Sequence, residues 1–232
     1  MAVSGTTTFT VSGQDVVLAA LRKLGAYGPQ DVVPAAELTT ALFALNVRVK
    51  ELAIHGLPLW KVVKATMPTV AGQSAYNLST ATGTTLPLKL LSAVRFDTIS
   101  LSQIVLPILS RYDFDLLGMP SQSGPPTQVW YDPKLGAGVV NVYPVPADTT
   151  NNIIITAHIQ IDDFGTLADT PDFPQEAFLM LVWVMADELA LEYSTDARVR
   201  AEIKDKAMAY QMMFFNSLQE QASIIFTPSR RG

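Results

Sequence analysis

Cysteine is absent from this 232-residue chain, which excludes disulfides, thiolate metal sites and cysteine nucleophiles. Histidine is nearly absent, with two copies. His55 is followed by a helix-ending glycine and His158 falls mid-strand; neither has the His-x-x-x-His or carboxylate spacing a metal ion needs. Charge is scarce too: 16% of residues are Asp, Glu, Lys or Arg, against roughly 25% in an average soluble domain. The formal charge of −5 argues against tight nucleic-acid binding, which needs surplus Lys and Arg to displace counterions. It permits a surface that DNA slides past. The longest apolar run, Ala177 to Ala186, stops at Asp187-Glu188, too short to span a bilayer. Residues 1–10 lack a basic patch followed by an apolar stretch, so no signal peptide is expected. No Gly-x-Ser-x-Gly elbow and no Walker-type loop occurs.

What is present is apolar: 49% of the residues. Such a chain has more greasy surface than one globule easily hides, the composition of a subunit covered by other subunits. A well-filled monomer fits the composition equally well. The length suits one large domain or two small ones.

Three regions and a tail follow along the chain. Residues 1–56 read as a helical pair. Ser12 with Asp15 forms a capping signature, Val17, Leu18, Leu21 and Leu24 make one face, and Gly25 with Gly28-Pro29 stops the helix. A second helix opens near Asp31 and Pro34, carries Leu38, Leu42, Leu45, Val49 and Leu52, and ends at Gly56.

Residues 57–161 read as β. Segments rich in Val, Ile, Thr and Tyr run over 61–67, 75–78, 90–97, 127–131, 138–143 and 152–161, separated by Gly, Pro, Asn and Ser. The last alternates: Ile153, Ile155, Ala157, Ile159 and Ile161 on one face, and Ile154, Thr156, His158 and Gln160 on a half-wet other face. Leu116 to Thr127, holding Pro120, Gln122, Gly124, Pro125 and Pro126, reads as an exposed loop for a neighbouring subunit or the tail, and one that tolerates shortening at 122–124.

Residues 162–222 return to helix, a hairpin expected to pack with the N-terminal helices. Asp172 is the expected N-cap, with Gln175 closing a capping box and Pro174 in the first turn. Phe178, Leu181, Val182, Met185 and Leu189 form the main apolar face, and Leu179, Met180 and Val184 leave little polar surface opposite. A helix apolar nearly all round is central in its fold or its assembly. The last helix starts near Asp196 and carries Val199, Ile203, Ala207, Tyr210 and Phe214. Residues 223–232 form a short basic tail, in which Ile224, Ile225 and Phe226 precede Arg230 and Arg231. Three apolar anchors and two guanidinium groups suit a groove with carboxylates on a partner; the alternative is that these residues fold back on their own last helix.

Catalytic machinery is not evident. Asp162, Asp163, Asp169, Asp172 and Glu176 form the densest acidic cluster, and paired carboxylates can hold a cation or move protons. One reads as a helix cap and the others as a solvated turn, with no distant carboxylate to pair with. Arg198, Arg200, Lys204 and Lys206 are interleaved with Asp196, Glu202 and Asp205, a solvated face with an i, i+4 pair at Glu202 and Lys206. No catalytic, cofactor or metal residue is assigned.

Several segments in order resemble the head-to-tail adaptor (tail accessory, packaged-DNA-stabilisation) family of short-tailed bacteriophages. They are Glu37-Leu38 through Leu45-Asn46 to His55-Gly56-Leu57-Pro58-Leu59-Trp60; Thr69-Val70-Ala71-Gly72-Gln73-Ser74-Ala75-Tyr76-Asn77-Leu78; and Leu109 to Phe114. Gly124 to Asp132, Tyr143-Pro144-Val145-Pro146, and Asp172 to Glu176 followed by the helix to Tyr193 complete the series. Each is a structural turn or cap; together they cover about Val16 to Phe214, and the tail departs most.

The resemblance implies an α+β subunit, with a helical part from both termini and a β-rich middle. It implies a dodecameric ring that binds the portal above and the tail tube or nozzle below, extends the DNA channel and helps retain the genome. The expected place is the virion head–tail junction, after assembly in host cytoplasm, with no membrane and no cofactor. Ile224, Ile225, Phe226, Arg230 and Arg231 are the expected portal-docking residues. Two other readings remain beside it: a stopper or tail-completion protein of a long-tailed phage, and a virion-associated hydrolase.

Overall fold

A computed structural model describes residues 9–55, 59–78, 87–119, 121–134, 137–193 and 196–217. Five α-helices and eight strands lie among them, so the chain is α+β with a β-rich middle. Two compact units emerge, one from Met1–Gly56 with Asp162–Gly232, the other Leu57–Ile161.

In the first unit, α1 (Gly13–Leu24) begins on the expected box: Ser12 Oγ accepts the Asp15 N–H, and the Asp15 carboxylate accepts the Ser12 N–H. That pairing satisfies donors a helix start leaves open. Gly25 ends the helix at φ +71°, a left-handed conformation that a side chain disfavours. Val16, Val17, Ala20, Leu21 and Leu24 are buried. In α2 (Ala35–His55), Ala41, Leu45, Val49 and Leu52 are buried, at steps of four and three. Arg48 of α2 forms ion pairs with Glu51 and, at 2.8 Å, Glu188.

Helix α4 (Phe178–Leu189) is covered by α1, α2 and α5 (Ala197–Ser217), and Met180 through Ala186 are all buried. An apolar surface that wide needs cover on every side. Trp183 stacks on Tyr210 at 6.2 Å, and the ammonium groups of Lys23 and Lys206 stand 5.3 and 4.9 Å from its ring centre. The aliphatic stems of these lysines cover apolar surface while their charges stay wet. The helix does not start on the expected box. A 3-10 turn (Gln175–Ala177) precedes it, Pro174 holds the cap position without a side-chain bond, and the Asp172 carboxylate instead accepts the Asp162 N–H at 3.0 Å. Pro174 fixes an extended entry, and the acid serves the preceding turn.

The second unit pairs two four-stranded sheets. One runs in the order β1 (Val62–Pro68), β8 (Asn151–Ile159), β3 (Pro87–Asp97), β4 (Gln103–Leu106) and is antiparallel. The other runs β2 (Ala75–Asn77), β7 (Ala137–Tyr143), β6 (Gln128–Lys134), β5 (Ile108–Leu109), with β5 and β6 parallel. Ile153, Ile155 and Ala157 of central β8 pack with Met67, Ala93 and Leu106 against Val129, Val140 and Val142 of the other sheet. The alternation of β8 thus sets its register, since a one-residue slip would turn the isoleucines to water. His158 departs from the half-wet expectation: it is 2% exposed, so β8 is covered on both faces near its end. Tyr131 of β6 ties the sheets together by donating its hydroxyl to the Pro87 carbonyl of β3, and burial pushes its pKa up to about 12. Gly138 leaves room for that ring: a Cβ there would lie 2.7 Å from Tyr131 Cε2.

A short helix, α3 (Arg111–Asp115), is capped by Ser110 Oγ accepting the Asp113 N–H. Phe114 and Arg111 lie on Trp130 of β6, each centred 5.6 Å from its ring.

Two substitutions on opposite faces of α2 test this packing. Leu45→Ala, at a site 1% exposed, is expected to cost about 2–5 kcal/mol. Phe43→Ser, at a site 72% exposed, should stay within about 0.5 kcal/mol. Urea unfolding of both variants reads the difference, and equal losses would contradict the assigned faces.

Candidate interaction surfaces

Several of the polar residues that sequence alone could assign to chemistry are occupied with structure. Asp169 accepts the N–H and hydroxyl of Thr166 at 2.7 and 3.0 Å, while its carbonyl accepts the Gly13 N–H. Asp163 pairs with Lys50 at 2.7 Å, and Lys206 with Glu202 at 2.6 Å. Asp196 accepts the Arg198 N–H and starts α5. Among the described residues, no group of three or more His, Asp or Glu side chains is placed to hold a metal ion. No described helix is long and apolar enough to cross a membrane.

The expected docking residues Ile224, Ile225, Phe226, Arg230 and Arg231, and Pro120 of the loop, lie outside the described residues. The rest of the loop is tied down. The Gly124 N–H donates to the Val145 carbonyl at 2.9 Å and the Val145 N–H to the Gln122 carbonyl at 2.8 Å. The Tyr143 hydroxyl reaches Gln122 Oε1 at 2.6 Å, and Arg95 Nη1 the Pro126 carbonyl at 3.0 Å. Gln122 and Pro125 are exposed, Gly124 is half-buried and Pro126 is buried. Deletion of 122–124 would remove both bonds to Val145.

Large apolar groups are exposed on several elements. On α3 and the start of the loop, Tyr112, Leu116 and Met119 are 64–73% exposed. On α2, Phe43 and Val47 are exposed one turn apart, and Ala36, Thr39 and Thr40 extend the stripe without a charge. On α5, Met208, Met212 and Met213 face outward. At the turn between β3 and β4, Ile99 and Leu101 are 75% and 73% exposed. Leu101 also holds φ +53°, a conformation that costs a side-chain-bearing residue about 1–2 kcal/mol. Sequence patterning could have flagged the α2 stripe, since Ala36, Thr40, Phe43 and Val47 share a helical face. The strand and turn residues carry no such signal, because their exposure depends on sheet order.

Exposed apolar side chains on several described elements suit a protein that works by contact. A family model described as SU10 adaptor protein matches residues 12–231, and the chain belongs to that family of head-to-tail adaptors of short-tailed phages, structural proteins of the virion neck. No curated protein matches the chain.

Titration reports how the fold is held. Burial holds the His158 imidazole below its ordinary 6.5. Asp169 and Asp97 are held low by N–H groups of Thr166 and Ile99, Asp148 by the Thr150 hydroxyl, and Glu37 by the hydroxyls of Tyr193 and Tyr27. Each of these groups takes up its proton less readily folded than unfolded. Their stabilisation is therefore present above the unfolded values and lost as pH falls through the folded ones. Tyr131, raised to about 12 from 10.0, does the reverse: its contribution is whole below pH 10 and fades as pH rises toward 12. The melting temperature should fall first below about pH 6.5, through His158, and again below about pH 4, through the carboxylates. In His158→Phe the first step should vanish and the second remain; an unchanged first step would assign it to another group.

Proposed function

We propose that this chain joins the portal ring to the tail, as a dodecameric ring that extends the DNA channel and helps retain the packaged genome. The match to the adaptor family over residues 12–231 carries the reading. The uncharged stripe on α2 and the exposed apolar side chains on α3 and α5 support it, because a subunit between two other rings needs cover on several sides. The net charge of −5 suits a channel that lets DNA pass without gripping it or reading its sequence. Assembly takes place in host cytoplasm, and the finished ring sits at the head–tail junction of the virion. In this reading Ile224, Ile225 and Phe226 fill a portal groove while Arg230 and Arg231 meet carboxylates there. Gln122 and Pro125, with the neighbouring Leu116 and Met119, face an adjacent subunit or the tail tube.

Truncation after Ala222 tests the docking role. Portal binding, read by co-sedimentation, should be lost while the melting temperature stays within a degree or so of the full chain. If the three apolar residues instead fold back on their own helix, the truncated chain melts lower, since burying each is worth roughly 1.5–3 kcal/mol. Full portal affinity after truncation would rule the docking role out.

A further inference from the structure

Hydrogen-bonded rows fix the layout of the first sheet. One row runs Thr66, Ile154, Val94, Val105 and another Pro68, Asn152, Phe96, Gln103, from edge strand β1 to edge strand β4. The end of β1 and the β3–β4 turn therefore stand at the same level, on opposite edges of one unit. The two edges are shaped differently. Beyond β3, the turn projects Ile99 and Leu101 into solvent. Beside β1 and β2 lies an open recess of about 420 Å³, lined by Met67, Pro68, Val70 and Tyr76 with Thr66, Gln73 and Asn77. A cavity of about 150 Å³ holds a benzene-sized group, so this recess has room for two aliphatic side chains.

The projection is rigid. The Asp97 carboxylate accepts the N–H groups of Ile99 and Ser100 at 2.8 and 3.2 Å. Thr98 is bound through its N–H and hydroxyl to the Thr150 carbonyl at 2.9 and 2.7 Å. Two apolar side chains are thus held out in water on a braced turn, one of them in a left-handed conformation. Contact with a partner is what repays such an arrangement. Ile99, Ser100, Leu101, Ser102 and the described lining of the recess bear no formal charge, and the carboxylate of the turn, Asp97, is already held by the N–H groups of Ile99 and Ser100. Closing them together buries no unpaired ion.

We propose that the β3–β4 turn of one copy of this chain seats Ile99 and Leu101 in the Met67, Val70 and Tyr76 recess of the next copy. A projection and a recess at one level on opposite edges suit a heterologous contact, the kind from which a ring is built. Edge strand β4, with Ile104 and Val105 exposed, lies alongside and is shielded by the same contact from unwanted strand pairing. The inference deepens the ring reading above and rests on it.

The cysteine-free chain makes the test direct. Full-length Leu101→Cys, Val70→Cys and the double variant are mixed with the portal, sedimented, oxidised and run without reductant. Melting temperatures confirm that each variant is folded. The double variant should lose most of its monomer band to a ladder of covalent multimers, while each single variant stays monomeric. Chain that sediments with the portal yet forms no ladder overturns this contact and leaves the portal reading standing. A ladder without co-sedimentation supports the contact and sinks the portal reading. A dimer from Leu101→Cys alone shows turn meeting turn, and overturns the head-to-tail arrangement.

Discussion

With 16% of its residues charged and 49% apolar, this chain cannot coat itself in charge, and everything else follows from how it disposes of apolar surface. The fold buries what it can in two places. Helix α4 takes cover from α1, α2 and α5, and strand β8 from a strand on either side and a second sheet across the core. Part of what remains outside is aligned in pairs: Phe43 and Val47 on one helix, Met208 and Met212 on another, and Ile99 and Leu101 on a braced turn. Apolar groups scattered singly would need no explanation; pairs aligned on rigid elements do.

Polar groups serve the same end. The acids that might have suggested chemistry hold turns: Asp15 starts α1, Asp169 closes the turn at Thr166, and Asp97 fixes the turn that bears Leu101. Buried His158 is kept neutral by its surroundings. A structural protein of the virion neck uses such groups to position contacts, and the described residues put them to that use.

Local signals in the sequence were legible where one short stretch decides the structure. Ser12 with Asp15, the glycine at 25 and the alternation of 153, 155 and 157 each specify an element without reference to distant residues. Strands β4 and β5 were not legible. Gln103–Leu106 is apolar on both faces and ends at Pro107, and Ile108–Leu109 becomes a strand only because β6 lies beside it. The Ser110 and Asp113 pair is a helix-cap signature of the ordinary kind, and its helix was missed because just five residues follow. The Asp172 and Gln175 signature was present but unused, since Pro174 fixes the entry. Contact surfaces were least legible. Prolines and glycines drew attention to one end of the Leu116–Thr127 loop, whereas its large exposed apolar side chains, Leu116 and Met119, lie at the other end. Recognising them requires knowing which faces the fold leaves uncovered.

The most direct measurement of whether those uncovered faces serve head-to-tail joining is cryo-electron microscopy of the particle that carries this chain. Density that accommodates the bundle of α1, α2, α4 and α5 and the two-sheet unit should form a ring between portal and tail, with the faces of α2, α3 and α5 against neighbouring density. A chain absent from that junction, or present there with those faces open to solvent, would contradict it.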